Sequence, residues 1–324
     1  MIKNKNLLIT GGAGFIGTHL FESLIKESNY IIIIDNFNTC YYSGKEENLE
    51  NASKRYEISK DYKIIKGDLR NKSIYDEITN DIDVIFHLAA HAGVRYSIQN
   101  SREVISNNII GTINTFDFAL QKNVKKVVYA SSSSVYGNPI YTPVDEDHPK
   151  NPISPYAISK LCGEIYADYY YREYDLPVTS LRFYTVYGPR GRPDMAIGKF
   201  FNLILQNKEL IIYGDGEQLR DFTYVSDIVD GLILSGENDK VSGEIFNLGY
   251  SEPISVNELI EKMFSIAEKP IKAKYIEKQK GDVDVTYSDI KKAQNILKYK
   301  PKVSIDNGLI KTYEWQLEKG KIFL

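Results

Sequence analysis

Tyr156 and Lys160 stand four positions apart at the start of a helical pattern that runs to about residue 174. Four positions along a helix place two side chains on the same face. A tyrosine phenol has a pKa of about 10 and is a poor base at neutral pH, but a nearby ammonium group stabilises the phenolate and lowers that pKa. The pair therefore predicts a tyrosine that transfers protons with the help of a lysine, although most pairs of this kind lie on the surface.

A serine cluster at residues 131–134 follows a predicted strand at residues 126–130. A hydroxyl group at the end of a strand is able to hold a substrate oxygen and to pass on a proton. The cluster precedes Tyr156 along the chain, and together the two features favour a catalytic site over a chance surface pair.

A glycine turn follows the first apolar run, with Gly11, Gly14 and Gly17 at the spacing GxxGxxG. Glycines let the backbone turn sharply and approach a pyrophosphate, while the N-terminus of the next helix supplies N–H donors and the positive end of its dipole. Ordinary strand–helix turns also contain glycine. Here the strand, turn and helix in succession predict a dinucleotide site.

Asp35 closes a second apolar run at residues 31–34. A carboxylate at this place accepts hydrogen bonds from both adenosine ribose hydroxyls and repels a 2′-phosphate. The residue therefore predicts NAD rather than NADP, against the alternative of a solvated loop aspartate.

Strands and helices alternate through the first part of the chain. Strands are predicted at residues 5–10, 31–34, 63–66, 84–88, 126–130, 177–183 and 244–249, with helices at 73–80, 104–121 and 156–174 between them. Such alternation is typical of right-handed βαβ units. We predict an α/β fold with a doubly wound, Rossmann-type parallel sheet of about seven strands.

The pattern changes after Gly188, where a basic, proline-flanked loop precedes helices predicted at residues 199–206, 255–267, 290–297 and 307–319. We predict an NAD-binding domain at residues 1–188, to which residues 225–250 return. Residues 189–224 and 251–324 form a smaller α/β substrate domain on the carboxyl edge of the sheet, where open α/β sheets bind ligands.

Composition excludes several functional classes. The net charge is −3 with signs interspersed, and no basic stripe indicates a nucleic-acid partner. No apolar run is long enough for a membrane span and no signal peptide fits before the glycines, so neither a membrane partner nor secretion is expected. Cys40 and Cys162 match neither a disulfide framework nor a metal site. We expect a cytoplasmic protein without a metal.

The chain resembles the nucleotide-sugar epimerases of the extended short-chain dehydrogenase/reductase family over nearly its whole length. The motifs that carry the resemblance are residues 10–17, 35–36, 67–69, 87–90, 131–137, 156–160, 181–183, 186–189, 220–222, 225–227 and 246–249. The chain departs from the family's pattern at residues 39–42 and at Lys280.

The resemblance implies a 4-epimerisation of a UDP-sugar. Tyr156 takes the proton of the sugar's 4-hydroxyl group while a hydride passes from carbon four to NAD, and Ser132 binds that hydroxyl group. The 4-keto sugar turns over and receives the hydride on its other face, so NAD is regenerated and stays bound. The catalytic residues are then Ser132, Tyr156 and Lys160.

The resemblance also implies the binding residues. Those expected at the cofactor are Gly11, Gly14, Phe15, Ile16, Gly17, Asp35, Asn36, Asp68, Leu69, Leu88, Ala89, Ala90, Asn108, Tyr156, Lys160 and Tyr184. Those expected at the nucleotide sugar are Arg95, Ser133, Ser134, Thr185, Arg192, Lys199, Tyr213, Arg220 and Asp282, with Arg220 on the UDP phosphates. The alternative for Arg220 is a surface ion pair with Asp221.

Positions 133 and 134 separate the reactions of related enzymes. Relatives that dehydrate the sugar carry an acidic pair just before the Val-Tyr-Gly motif, and decarboxylating relatives have a glutamate directly before that valine. Ser133 and Ser134 argue against both reactions, since eliminating water requires a group that protonates the leaving hydroxyl.

The sugar is predicted to be a glucuronate. Residues 91–97 and 191–195 resemble UDP-glucuronate 4-epimerases, and so does Thr185, where UDP-glucose epimerases usually have asparagine. The planar fork of an arginine suits a carboxylate, and Arg95 and Arg192 are the candidates. A diphosphate attracts arginines equally well, so UDP-N-acetylglucosamine, UDP-glucose or another acidic UDP-sugar remain alternatives.

A different functional class is a catalytically silent NAD-binding sensor or scaffold, which in this superfamily has lost the Tyr/Lys pair. The presence of Ser132, Tyr156 and Lys160 argues against it. Family members commonly pair through two helices of each subunit, so a homodimer through residues 104–121 and 156–174 is expected.

Overall fold

The computed structural model describes residues 2–40, 42–270, 272–279 and 281–322. Tyr41 and Lys280, two of the positions where the chain departs from the family's pattern, lie outside the described residues. The strands are β1 (Asn6–Thr10), β2 (Tyr30–Asp35), β3 (Tyr62–Lys66), β4 (Val84–His87), β5 (Lys126–Ser132), β6 (Val178–Phe183), β7 (Thr185–Tyr187), β8 (Leu210–Tyr213), β9 (Leu219–Arg220), β10 (Phe222–Tyr224), β11 (Ile245–Leu248), β12 (Ile254–Ser255) and β13 (Ala273–Ile276).

The α-helices alternate with these strands. They are α1 (Phe15–Ile25), α2 (Lys45–Ser53), α3 (Val94–Gln99), α4 (Ser101–Ile105), α5 (Gly111–Gln121), α6 (Pro155–Tyr174), α7 (Ala196–Leu205), α8 (Val225–Glu237), α9 (Val256–Ala267) and α10 (Ile305–Ile322). Shorter 3₁₀ segments lie at Lys72–Glu77, Ser133–Tyr136 and Asp239–Val241, and π-helical segments lie at Ser106–Ile110 and Ala293–Leu297.

Seven parallel strands form the central sheet in the order β11-β6-β5-β4-β1-β2-β3. Successive residues of β1 alternate between its faces: Leu7 and Ile9 pack in the cluster that contains α1 and α8, and Leu8 packs in the cluster that contains α5 and α6. Both faces are therefore covered, which explains why the apolar strands show no polar alternation. The predicted Rossmann-type sheet is confirmed, and β11 lies at its edge beside β6.

The order in which the chain adds strands reverses between β1 and β4. The strands β2 and β3 lie on one side of β1, and β4 to β6 lie on the other. In open parallel sheets, ligands bind at the carboxyl edge beside this point. The glycine turn after β1 and residues 88–90 after β4 meet there, as the sequence predicts.

A third apolar cluster lies apart from the two that cover the faces of the central sheet. It contains Phe201 of α7, Leu210 of β8, Met263 of α9 and Leu309 of α10, all of them fully buried. Three two-stranded sheets accompany it, β10-β7, β12-β9 and β13-β8. This is the smaller α/β part of the fold, while the predicted boundary at residue 188 stays a prediction.

Three predicted helices differ in detail. Residues 73–80 form only the 3₁₀ segment at Lys72–Glu77, and residues 290–297 contain the short π-helical segment Ala293–Leu297. The helix predicted at 104–121 begins earlier, with α4, and widens into a π-helical segment at Ser106–Ile110. Such widening is frequent at functional sites, and hydrophobic periodicity does not reveal it.

Local capping fixes the start of α6, the helix that carries Tyr156. The Ser154 hydroxyl accepts a hydrogen bond from the Ala157 amide at 3.2 Å, and Pro155 occupies the first helical turn. A serine cap followed by proline is a strong signal for a helix start.

A buried ion pair joins α6 to β6 beneath the site. The Arg182 guanidinium donates to both carboxylate oxygens of Glu164, at 2.9 Å and 2.7 Å, with the two side chains 1% and 3% exposed. Ser131 of β5 donates to the same carboxylate, and Arg182 also donates to the Tyr136 hydroxyl at 2.7 Å. One network therefore connects the strand of the serine cluster, α6 and β6.

Among the described residues, no helix combines the length and the apolar character that a membrane span requires.

Arg182→Met should destabilise the protein by about 3–5 kcal/mol, because it leaves the Glu164 carboxylate buried without its charged partner. Denaturant unfolding measures the loss. The double variant Glu164→Met/Arg182→Met removes both charges and should be more stable than the single variant. A single variant within about 1 kcal/mol of the wild type, the range of exposed ion pairs, would contradict this role.

Candidate active site

The glycine turn packs tightly against the end of β4. Gly11 has a φ angle of +72°, and a Cβ atom there would lie 2.8 Å from the Ala89 backbone. A Cβ atom on Gly17 would lie 2.3 Å from the Gly11 carbonyl oxygen. Because side chains are excluded at both positions, the backbone amides at the start of α1 border the cleft, as a phosphate-binding turn requires.

Asp35 ends β2 and is buried beside this turn. One carboxylate oxygen accepts from the Ala13 amide at 3.1 Å, and the other accepts from the Phe37 amide at 2.8 Å. The Lys45 ammonium lies 3.6 Å from the second oxygen. These contacts hold the carboxylate in place at the cleft wall. The pairing of Lys45 with Asp35 is not visible in the sequence.

A cleft of about 1400 Å³, part of it open to solvent, runs along the carboxyl ends of the central strands. All but two of the residues predicted to bind the cofactor line it. They are Gly11, Gly14, Phe15, Ile16, Gly17, Asp35, Asn36, Asp68, Leu69, Leu88, Ala89, Ala90, Tyr156 and Lys160.

Asn108 and Tyr184 are the two that do not line the cleft. The Asn108 amide accepts from the His91 backbone N–H at 2.8 Å and donates to the Ser159 hydroxyl at 2.9 Å, so it holds the loop after β4 from behind. The Tyr184 hydroxyl is buried near Tyr136 without a hydrogen-bond partner among the described residues. The preceding residue, Phe183, lines the cleft instead.

Several lining residues were missed by the sequence analysis. Some belong to the polar loop and helix after Asp35, and Arg190 belongs to the basic loop already visible in the sequence. Tertiary packing brings them to the cleft, and no local spacing indicates it. They are Asn38, Tyr42, Lys45, Asn48, His91, Asn107, Phe183 and Arg190.

Ser132, Tyr156 and Lys160 meet at one end of the cleft. The Ser132 hydroxyl oxygen accepts from the Ser134 amide at 3.2 Å and from its hydroxyl at 2.9 Å, and it shares a hydrogen bond with the Tyr156 phenol. The Lys160 ammonium donates to the Ala130 carbonyl oxygen at 2.7 Å. The predicted trio is therefore brought together by β5 and α6.

Desolvation raises the pKa of the Tyr156 phenol above its usual value, while the hydrogen bond from Ser132 and the charge of Arg192 lower it. Desolvation also lowers the pKa of Lys160 to about 7. In the protein alone, Arg192 is thus a cation that acts on the phenol. That Lys160 also lowers the phenol pKa stays a prediction.

Five residues predicted at the nucleotide sugar cluster around the Tyr213 ring and the Asp282 carboxylate. The Arg95 guanidinium lies 4.5 Å from the centre of the Tyr213 ring and donates to the Asp282 carboxylate at 2.9 Å. The Lys199 ammonium lies 5.9 Å from the same ring centre. Desolvation lowers the pKa of the half-buried Arg220, the charge of Asp282 raises it, and the charge of Arg95 lowers it. Cationic and aromatic groups thus face one another, a combination that suits a base and a diphosphate.

Arg220 does not pair with Asp221. Its guanidinium donates to the backbone carbonyl oxygens of Leu219 and Val283, at 2.8 Å and 2.7 Å. The fully buried Asp221 accepts from the Ser288 amide and hydroxyl and from the Tyr250 amide. The alternative of a surface Arg220–Asp221 pair is therefore wrong.

Arg192 lines the cleft near Tyr156 and forks onto Asp194 at 3.0 Å and 2.6 Å. Ser133 and Ser134 belong to the 3₁₀ segment beside Ser132. Thr185 starts β7, where its amide donates to the Asp221 carbonyl oxygen at 3.1 Å, next to Arg220. Among the described residues, no group of three or more His, Cys, Asp or Glu side chains could hold a metal ion.

Comparison with known proteins places this geometry in a family. The family profile described as GDP-mannose 4,6 dehydratase matches residues 8–312. A UDP-glucuronate 4-epimerase of Thermodesulfobacterium geofontis is 40% identical over 96% of this chain and 96% of the relative. The chain belongs to the extended short-chain dehydrogenase/reductase family.

Two solved structures are similar to this short-chain dehydrogenase/reductase over almost its whole length. A UDP-glucuronic acid 4-epimerase from Bacillus cereus in complex with UDP-glucuronic acid and NAD is 34% identical, with a TM-score of 0.90, over 97% of this chain and 99% of that one. A UDP-N-acetylglucosamine 4-epimerase from Methanobrevibacter ruminantium M1 in complex with UDP-N-acetylmuramic acid is 34% identical, with a TM-score of 0.89, over 98% and 100%. The family predicted from the motifs is therefore confirmed.

Proposed function

We propose that this chain is a UDP-glucuronate 4-epimerase that works through a transient 4-keto sugar. At the coarser level the chain is an NAD-dependent isomerase of nucleotide sugars, as its family and its relatives named epimerases indicate. The observation that carries the proposal is the meeting of Ser132, Tyr156 and Lys160 at one end of a cleft whose other end holds the glycine turn and Asp35.

The protein's own groups perform the proton transfers. The Tyr156 phenol is the group that takes and returns the proton of the 4-hydroxyl, and the Ser132 hydroxyl holds that oxygen within a hydrogen-bonded chain that includes Ser134. Arg192 favours the phenolate during the transfer by its positive charge.

The cleft residues fit a bound NAD. The side-chain-free turn at Gly11 and Gly17 suits a pyrophosphate, and the fixed Asp35 carboxylate suits an unphosphorylated ribose. When bound, NAD supplies a reversible hydride acceptor. Lys160, which is buried and hydrogen-bonded to the Ala130 carbonyl oxygen, is the residue that would bind the nicotinamide ribose.

The cluster of Arg95, Lys199, Tyr213, Arg220 and Asp282 is the proposed UDP site. Its arginines are already engaged: Arg95 with Asp282, and Arg220 with backbone carbonyl oxygens. A diphosphate offers stronger, charge-assisted acceptors than these carbonyl groups. With UDP held by this cluster, the sugar is free to turn at Tyr156 while the nucleotide stays bound.

Dehydration and decarboxylation fit the site less well than epimerisation, although the family profile carries the name of a dehydratase. Elimination needs an acid beside the reacting sugar. The positions that would supply it are the hydroxyl residues Ser133 and Ser134, in the 3₁₀ segment next to Ser132.

A carboxylate on the sugar is supported by the donors around Tyr156. Arg192 presents a planar fork, which Asp194 occupies at 3.0 Å and 2.6 Å. The existing bidentate contact demonstrates that this guanidinium has the geometry for a carboxylate. Ser133 and Ser134 beside Ser132, and Thr185 at the start of β7, are the hydroxyl residues predicted to bind the sugar. UDP-N-acetylglucosamine, UDP-glucose or another acidic UDP-sugar is the alternative substrate, and a silent NAD-binding sensor is the alternative of another class.

A homodimer through α4, α5 and α6 is proposed with this function. Apolar side chains on these helices remain exposed in the single chain, among them Ile105, Ile110, Ile158 and Ile165. A second copy of the chain would cover them. Free Cys40 and Cys162 agree with a reducing compartment, and we propose the cytoplasm.

Substrate identity is tested with protein as purified, without added NAD, and with UDP-glucuronate, UDP-glucose and UDP-N-acetylglucosamine offered separately. We expect the 4-epimer of UDP-glucuronate to form fastest. Arg192→Ala should lower kcat/KM for UDP-glucuronate by about 10–100-fold more than for a neutral sugar, since a charged hydrogen bond contributes about 1.5–3 kcal/mol. Equal losses for both would remove the case for an acidic sugar.

Tyr156→Phe keeps the ring and removes the proton-transferring oxygen. We expect epimerisation to fall by about 10²–10⁴-fold, the usual contribution of a general base, while the NAD released on denaturation stays near the wild-type amount. Phe183→Tyr, a change elsewhere in the cleft lining, serves as the matched control for disturbance of the cofactor site. Normal turnover by the Tyr156 variant would contradict the mechanism.

A further inference from the structure

The loop between β7 and α7, residues 188–195, is docked onto α1, the helix that follows the glycine turn. We call this segment the arginine loop. The Arg190 guanidinium donates to both carboxylate oxygens of Glu22, at 2.7 Å and 2.9 Å. One turn earlier on α1, a ring nitrogen of His19 lies 2.9 Å from the Pro189 carbonyl oxygen. Two adjacent residues of the loop are thus fixed to two residues of one helix.

The backbone of Arg190 adopts a conformation that is unfavourable for an arginine. The residue has a φ angle of +61°, in the left-handed region, where side chains other than glycine, asparagine and aspartate are uncommon. Gly188 and Gly191 flank it, and glycine at position 190 would adopt the same backbone without that cost. The fork to Glu22 fixes the side chain of a residue whose backbone lies in this costly region.

The second arginine of the loop faces the catalytic end of the cleft. Arg192 lines the cleft, and its charge acts on the Tyr156 phenol. Its fork to Asp194 lies within the same loop, so this contact orients the guanidinium but does not anchor the loop to the protein. The anchor lies two residues earlier, at Arg190.

Charge at the anchor favours the ion pair. The Arg190 guanidinium holds the pKa of the Glu22 carboxyl below its usual value despite partial burial. Burial lowers the pKa of His19, and Arg190 lowers it further, so the imidazole remains neutral beside the pair. The side chains of Arg190 and Glu22 are 16% and 27% exposed, which shields the fork from solvent.

We propose that the Glu22–Arg190 fork is a latch that positions Arg192 for the reaction at Tyr156. Glu22 and Arg190 are positioning residues: they act through the arginine loop and touch neither the sugar nor the phenol. The inference rests on the proposed function for the role of Arg192, and it adds a mechanical link between α1 and the arginine loop.

Two single variants, together with the charge-swapped variant described below, separate this role from a purely structural one. Arg190→Gly relieves the left-handed strain but removes the fork, and Glu22→Gln removes the charge of the partner. We expect each to lower kcat/KM for the substrate that the panel identifies by about 10-fold or more, since small misplacements in an active site cost up to ~100-fold. Their thermal stability should remain close to that of the wild type.

The charge-swapped variant Glu22→Arg/Arg190→Glu restores an ion pair across the same gap. We expect it to regain at least a third of the wild-type kcat/KM. Lys302→Met, which breaks the exposed pair with Asp230, is the control and should leave kcat/KM unchanged. No recovery in the swapped variant would overturn the latch. NAD loss by Arg190→Gly with KM unchanged would also overturn it, because Arg190 would then be a direct cofactor contact.

The pH profile provides a readout that a merely structural role would not move. The groups acting on or facing Tyr156 are Ser132, Arg192, Lys160 on the same helix, and Tyr129 of β5. Displacing the Arg192 cation disfavours the phenolate, so its pKa rises. The rising limb of kcat against pH should therefore shift to higher pH in Glu22→Gln and return in the swapped variant. An unshifted limb in Glu22→Gln would overturn the latch.

Hydrogen exchange distinguishes failure of the latch from failure of the proposed function. Amide exchange at residues 188–195 should accelerate in Glu22→Gln relative to the wild type, whatever the substrate is. If the wild-type protein converts no UDP-sugar but this exchange accelerates, the function fails and the latch stands. Unchanged exchange in Glu22→Gln would overturn the latch even in an active epimerase.

Discussion

The buried ion pair between Glu164 and Arg182 is the interaction on which the catalytic geometry depends. It ties α6, which carries Tyr156 and Lys160, to β6, and through the Ser131 hydroxyl it also holds the end of β5. Burying two charges is costly, and the cost is tolerated only when each remaining donor and acceptor is satisfied. Here the guanidinium also reaches the Tyr136 hydroxyl, which donates to Asn247 of β11. Three neighbouring strands and one helix are thereby held in one register around Ser132.

Burial sets the electrostatics of the site above this network. Lys160 is buried and Tyr156 lines the cleft. Desolvation disfavours the charged forms of both, so the phenol pKa rises and the lysine pKa falls. The phenol is therefore neutral in the protein alone. A cation near the phenol then has a large effect in the weakly polar surroundings, which makes the location of Arg192 consequential. The arginine loop controls that location from outside the catalytic trio.

Much of the fold could be predicted from the sequence, because the parallel strands are short apolar runs and most of them end in or next to a glycine, aspartate or serine. The same regularity located Gly11, Asp35, Ser132 and Tyr156, since the ends of parallel strands meet at one edge. Lys45 and Arg190 could not be predicted, because their partners Asp35 and Glu22 are set by tertiary packing. Asn108 lies in the π-helical segment Ser106–Ile110 and is not among the residues that line the cleft, and hydrophobic spacing does not reveal such a segment. The phenol pKa depends on desolvation, which spacing does not reveal either.

The proposed mechanism requires one hydride to leave carbon four of the sugar and to return to the same carbon. It is tested most directly with UDP-glucuronate carrying deuterium at carbon four, incubated in ordinary water with the protein as purified. The 4-epimer should form with the deuterium retained at carbon four, because the hydride never exchanges with solvent. Loss of the label to water during epimerisation, or a dehydrated product, would contradict it.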